Sequence, residues 1–106
     1  MDYKLDLQKI ADELDFDLED VEMLLEVFLD SAKEILESLK DAVDTNNFKD
    51  IYSYAHAIKG SAANLTLEEI SDTAKEMENN ARESNSIDYK ERYTKLENLI
   101  QSIKEN

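Results

Sequence analysis

The sequence predicts an all-α fold: an up-down-up-down antiparallel four-helix bundle with a short additional helix at the N-terminus. Three observations predict it. Apolar residues recur in steps of three and four along almost the whole chain, and no segment alternates as a β-strand does. The 106 residues contain no proline and one glycine, so few helix-breaking residues are present. Short polar turns separate four long periodic segments, which is typical of antiparallel neighbours.

Five helices are expected, over residues 5–14, 18–44, 47–65, 67–84 and 87–104. The first helix has Leu7, Ile10 and Leu14 on one side. The second begins after Asp17, which is a suitable N-cap and is followed three residues later by Asp20. Its predicted core seam is Leu18, Val21, Leu25, Phe28, Ala32, Ile35, Leu39 and Ala42. The turn at residues 45–47 ends this helix.

The last three helices also have one apolar face each. Asn47 is placed to cap the third helix. Thr66 and Glu69 have the spacing of a capping box, which would open the fourth helix. The predicted core residues of the third helix are Ile51, Tyr54, Ala55, Ile58, Ala62 and Leu65. Those of the fourth are Leu67, Ile70, Ala74, Met77 and Ala81, and those of the fifth are Tyr89, Tyr93, Leu96, Ile100 and Ile103.

Length and charge limit the classes of function. The length fits one domain over residues 1–106. The net charge of −14 would repel nucleic acid and anionic membranes, and it would attract a basic protein surface. The absence of cysteine excludes disulfides and thiolate chemistry. With no membrane-length apolar run and no signal-peptide pattern at the N-terminus, we expect a cytoplasmic protein, and the charge favours a monomer. An elongated coiled coil is the alternative fold, but the short turns and inward-facing tyrosines disfavour it.

The only histidine, His56, and the only glycine, Gly60, lie one helical turn apart. At 100° per residue, His56 points away from Ile51, Ile58 and Leu65, so we expect it on the outer face of its helix. Small or polar residues share that face: Lys49, Tyr52, Ser53, Lys59, Gly60 and Ala63. Because a glycine inside a helix costs about 1 kcal/mol relative to alanine, this pairing suggests that something large approaches His56.

An exposed neutral imidazole is a nucleophile that could accept a phosphoryl group. Phosphoryl transfer requires mainly positioning and charge neutralisation, and Lys59 could offset charge on the transferred group. Metal chemistry is poorly supported, because there is no second histidine and no His-Glu-x-x-His motif. The chain also lacks a phosphate-cradling glycine loop, so it cannot bind ATP by that route.

The segment His56-Ala57-Ile58-Lys59-Gly60, followed by small residues, closely resembles the signature of histidine-containing phosphotransfer (HPt) domains. Met77-Glu78-x-x-Ala81 looks like the Leu-Glu-x-x-Ala of that family's next helix. The resemblance implies a helical bundle that relays phosphoryl groups between aspartates of receiver domains. It further implies response-regulator receivers and a (hybrid) histidine kinase as partners. No cofactor would be bound by this chain, and Mg²⁺ would belong to the receiver.

The resemblance also assigns roles to residues. His56 would be the phosphoacceptor through Nε2, Lys59 would offset charge and Gly60 would give the receiver clearance. Glu78 would hydrogen-bond the histidine, although an exposed helix glutamate is the alternative. The expected docking surface adds Lys49, Tyr52, Ser53, Ala63 and Asn64, with part of the preceding long helix. Many members have glycine where this chain has Thr66, and the predicted capping box would explain how the helix boundary persists.

Two other functions remain open. The chain could be the histidine-bearing substrate domain of a chemotaxis-type kinase, which is normally the first part of a longer protein. It could also be a helical interaction domain that is never phosphorylated. The presence of both His56 and Lys59 disfavours the second alternative, because a degenerate member would be expected to lose them.

Overall fold

The computed structural model describes residues 6–103, and within that range the regular structure is entirely helical. The helices are α1 (Leu7–Leu14), α2 (Leu18–Asp44), α3 (Phe48–Asn64), α4 (Glu68–Arg82) and α5 (Tyr89–Ile103). All five expected helices are present. The expected bounds ran too far at α1, α3, α4 and α5. Next to α1, α3 and α4 the extra residues are mainly caps, whose dihedral angles are not helical. The expected ends at residues 5 and 104 lie outside the described residues.

Helices α2 to α5 form a closed ring in which each helix packs against two others. α3 lies between α2 and α4, α5 also lies between α2 and α4, and α1 packs on α2. Short turns make successive helices antiparallel, so the predicted up-down-up-down bundle is confirmed. The 41 Å long axis agrees with α2, whose 27 residues span about 40 Å at 1.5 Å per residue. The elongated coiled coil is therefore wrong.

The buried core follows the predicted faces closely in α4 and α5, where every predicted residue is buried. In α2 the prediction is wrong at Leu18, which is 44% exposed in the first turn, and Ile35 is only half-buried. Leu36 and Val43 are buried in addition. A seam drawn with a 3.5-residue repeat drifts relative to a helix of 3.6 residues per turn, so it selected Ile35 in place of Leu36. Leu18 lies on the same face as Leu36, five turns earlier, and it is exposed because it stands in the first turn, whereas Leu36 lies beside α5, whose Tyr93 hydroxyl donates to the Leu36 carbonyl. Tyr54 of α3 is also only half-buried.

Two predicted N-caps are confirmed. Asp17 precedes α2 in extended geometry, and its backbone N–H donates to the Asp20 carboxylate over 3.4 Å. At the start of α3, the Asn47 side-chain oxygen accepts from the backbone N–H of Asp50 over 3.2 Å. These contacts satisfy N–H groups that have no partner within the helix.

The predicted capping box at Thr66 is wrong. The N-cap of α4 is Leu67, and Thr66 instead closes α3 in the left-handed conformation, with φ of 58°. The backbone N–H of Leu67 donates to the Ala62 carbonyl and that of Thr66 donates to the Ala63 carbonyl, which is the Schellman pattern. Glycine is usual at such a left-handed helix end, and here Thr66 occupies it.

The other helix ends repeat this device without glycine. Four helices end in a non-glycine residue with positive φ, in chain order Asp15, Asn46, Thr66 and Ser84. After each of them, the next backbone N–H donates to a carbonyl five residues back. No turn among residues 6–103 therefore uses the single glycine, which lies inside α3.

Candidate functional site

His56 lies near the middle of α3 and faces away from the core, with its side chain 58% exposed. Its Nδ1 lies 3.2 Å from Oε1 of Glu78, a residue of the adjacent helix α4. An ionised carboxylate only accepts hydrogen bonds, so Nδ1 carries the proton and donates to it. The neutral ring then has its lone pair on Nε2. The contact with Glu78 thus favours the tautomer in which Nε2 is free to accept a bond.

Glu78 is a buried carboxylate with a side chain only 5% exposed, so the alternative of an exposed helix glutamate is wrong. Lys59 places its Nζ 3.0 Å from Oε1 and 2.8 Å from Oε2 of Glu78. Burial raises the pKa of Glu78, but the hydrogen bonds and charges of Lys59 and His56 outweigh that effect and the net pKa is lowered. Glu78 is therefore ionised at neutral pH and serves as the common acceptor for both side chains.

Helix packing creates this three-residue cluster. Lys59 lies one turn after His56 on α3, and the antiparallel α4 brings Glu78 opposite them across 22 residues of sequence. Ser71 also joins the two helices, since its hydroxyl donates to the Lys59 carbonyl over 3.3 Å. Ser71 was missed by the sequence analysis. Its signal was its position seven residues before Glu78, which places both on the same face of α4.

Gly60 is exposed and its φ is not positive, so the backbone does not require glycine there. A Cβ built on Gly60 would meet nothing within 4 Å. The space above this position is therefore open, and no contact within residues 6–103 explains the choice of glycine.

The predicted docking residues divide into two groups. Those that are exposed on α3 are Lys49, Ser53, Ala63 and Asn64. Tyr52 is instead half-buried against the core, and its ring stacks on His56 with a centroid separation of 5.9 Å and an interplanar angle of 15°. The structure thus places Tyr52 in direct contact with the candidate nucleophile.

The described residues offer neither a metal site nor a membrane-spanning helix. No group of three or more histidine, cysteine, aspartate or glutamate side chains there is arranged to hold a metal ion. None of the described helices combines the length and apolar composition needed to cross a membrane.

A four-helix bundle that presents a histidine on the outer face of one helix, with a lysine one turn further on, defines a histidine phosphotransfer module. The chain belongs to the Hpt domain family, whose model matches residues 23–106. Members of this family act in histidine phosphotransfer in phosphorelays and interact with receiver domains and histidine kinases. The match begins within α2, so α1 lies outside it. No curated protein and no solved structure gave a significant match.

Proposed function

We propose that this protein is a phosphocarrier that takes a phosphoryl group from an aspartate of one receiver domain and delivers it to an aspartate of another. One observation carries the proposal: a histidine whose side chain is 58% exposed lies with Nδ1 3.2 Å from the buried Glu78 carboxylate, so that in the neutral ring the lone pair is on Nε2. A second nucleophilic imidazole does not exist in the chain, because His56 is its only histidine.

The transfer step balances without an added base. The Nε2 lone pair of His56 attacks the phosphorus of the aspartyl phosphate, and the P–O bond to the aspartate breaks with its electrons going to the carboxylate. Nε2 has no proton to lose. The ring keeps its Nδ1 proton and becomes cationic, and the Glu78 carboxylate beside that proton stabilises the charge. Transfer to the next receiver is the reverse of this step.

The neighbouring residues supply charge and space. The Lys59 side chain is 28% exposed and lies one turn from His56, so its ammonium is close enough to offset charge on a phosphoryl group at His56 while it pairs with Glu78. Gly60 leaves room for the receiver, and the exposed face of α3 around it would form the docking surface together with part of α2. We expect Mg²⁺ to be held by the receiver and this chain to bind no cofactor. A cytoplasmic monomer fits these roles, and size-exclusion chromatography tests the oligomeric state.

The experiment is phosphotransfer from a phosphorylated receiver. We expect label on the wild type and none on His56→Gln, with ³¹P NMR showing an Nε2-phosphohistidine. Because no other histidine is present, that signal can only come from His56. Lys95→Gln is the matched control, since Lys95 is an exposed polar residue of α5, away from the expected docking surface. Label on His56→Gln would overturn the assignment.

The same assay separates the alternative functions. Labelling by a histidine kinase and ATP without any receiver would instead favour a chemotaxis-type substrate domain. If neither route labels the wild type and His56→Ala retains partner binding, the chain is an interaction domain.

A further inference from the structure

We propose that Tyr52 is a positioning residue for phosphoryl transfer at His56. Its ring holds the plane of the imidazole and closes the N-terminal side of the histidine, so that the phosphoryl donor approaches from the side of Gly60 and Ala63. This inference rests on the proposed phosphocarrier function and adds to it a residue with a defined task and a direction of approach.

The Tyr52 ring is itself held in place. Tyr52 lies one turn before His56 on the same helix face, and its side chain is half-buried against the core, which restricts its movement. Its ring is nearly parallel to the imidazole, at 15°, with centroids 5.9 Å apart. An offset parallel arrangement in this range of separations is favourable for aromatic pairs.

Glu78 alone does not fix the histidine. A single hydrogen bond at Nδ1 leaves the imidazole free to tilt about that contact, and 58% of the His56 side chain is exposed and unsupported by the core. The stack with Tyr52 opposes that tilt. A hydrogen bond that sets the ring's rotation and a stack that sets its plane together define the direction of the Nε2 lone pair. In-line attack depends on that direction.

The two sides of His56 differ in the space they leave. On the N-terminal side stands the Tyr52 ring. On the C-terminal side, a Cβ at Gly60 would meet nothing within 4 Å, and Ala63 beyond it is exposed and carries only a methyl group. A bulky phosphoryl donor is therefore blocked by the Tyr52 ring on the N-terminal side of His56 and finds open surface on the C-terminal side.

The test compares Tyr52→Phe, which keeps the ring, with Tyr52→Leu, which removes it. Tyr54→Leu is the matched control, because Tyr54 is another half-buried tyrosine of α3 that packs against the core. ¹⁵N NMR of the unphosphorylated proteins reports the tautomer of His56. Two phosphorylation assays follow, one with potassium phosphoramidate as a small donor and one with a phosphorylated receiver.

We expect the wild type, Tyr52→Phe and Tyr54→Leu to keep the Nδ1–H tautomer and to react only at Nε2. Tyr52→Leu should show mixed tautomers, a fraction of Nδ1-phosphohistidine with phosphoramidate, and transfer from the receiver that is about three- to tenfold slower.

Three results would overturn the proposal. Tyr52→Leu could match the wild type in tautomer, regiochemistry and rate. Tyr52→Phe could lose as much as Tyr52→Leu, which would make the hydroxyl a contact to the partner. Tyr54→Leu could lose as much, which would make the effect one of general packing. If the receiver fails to label even the wild type while the tautomers change as expected, the phosphocarrier function fails and the positioning role of Tyr52 stands.

Discussion

Removing the two partners of the Lys59–Glu78 ion pair should have unequal effects on stability. Lys59→Met would leave the Glu78 carboxylate, whose side chain is 5% exposed, with one remaining hydrogen bond from His56. Glu78→Gln would leave two basic side chains that already reach water, at 28% and 58% exposure. A charged side chain that has lost its partner destabilises the fold strongly only where solvent cannot reach the charge.

The burial of each partner sets the magnitude of the effect. Removing one partner of a fully buried pair costs about 3–5 kcal/mol, and the remaining His56 contact reduces this to about 3 kcal/mol for Lys59→Met. Glu78→Gln loses charged hydrogen bonds between accessible groups and keeps the side-chain volume, so we expect about 1 kcal/mol. The double variant has no stranded carboxylate and should therefore be more stable than Lys59→Met alone.

Urea unfolding followed by far-UV circular dichroism measures these free energies of unfolding. Lys49→Met is the matched control, because Lys49 is an exposed lysine of the same helix and its loss should change stability by no more than about 0.5 kcal/mol. Glu78→Gln costing as much as Lys59→Met, or a double variant less stable than Lys59→Met, would refute the reasoning.

Three further predictions follow from the same contacts. The Glu78 pKa lies below its ordinary value of 4.5, so the folded state binds fewer protons at Glu78 than the unfolded state does. The difference in free energy of unfolding between the wild type and Glu78→Gln should therefore have its full value above pH 4.5 and should decrease as the pH falls below 4.5, which unfolding measured over a series of acidic pH values checks. Thr66→Gly should raise the free energy of unfolding by about 1 kcal/mol, because it removes left-handed strain and a buried hydroxyl with no hydrogen-bond partner among residues 6–103; an unchanged melting temperature would contradict this. Gly60→Ala should stabilise the fold by up to about 1 kcal/mol, whereas Gly60→Gln should fold but transfer poorly from a receiver, and undiminished transfer would mean that clearance is irrelevant.

The bundle was predictable because helical periodicity is a local property that each segment carries separately. Every helix could be recognised from its own apolar spacing and its flanking caps, as at Asp17 and Asn47. What the pattern did not contain was the drift of the core face along α2. That drift placed Leu36 in the core in place of Ile35. Leu18, on the same face as Leu36, is exposed because it lies in the first turn of α2, and the length of α2 that its neighbours cover is a matter of tertiary packing.

The prediction for the turn between α3 and α4 was wrong because Thr66 suited two structural roles, the N-cap of α4 and the left-handed residue that ends α3. Thr66 is a good N-cap for the helix that follows, and a left-handed residue is also needed to end the helix that precedes it. The second requirement prevailed, since the Schellman bonds satisfy carbonyls of Ala62 and Ala63 as the chain reverses. Local sequence preferences could not rank these two tasks.

The sequence predicted which residues form the site better than it predicted the contacts between them. The outward direction of His56 follows from counting residues along one helix. The burial of Glu78 and its contact with His56, 22 residues earlier in the chain, depend on the register between α3 and α4, which the turn at Thr66 sets. The stack of Tyr52 on His56 depends on side-chain rotamers, which no pattern of residue types specifies.

Two residues beside His56, Gly60 and Glu78, are not the residues that stability alone would favour at their positions. Four helix ends adopt positive φ without glycine, yet the only glycine stands inside α3, where alanine would be better by about 1 kcal/mol. Glu78 is the only charged side chain buried among residues 6–103, where a well-packed apolar residue would serve the fold as well. Sequences that otherwise agree with their fold at every level depart from it where function requires. Both departures lie beside one exposed imidazole, and this supports the proposal that His56 is a phosphoacceptor and not an incidental surface histidine.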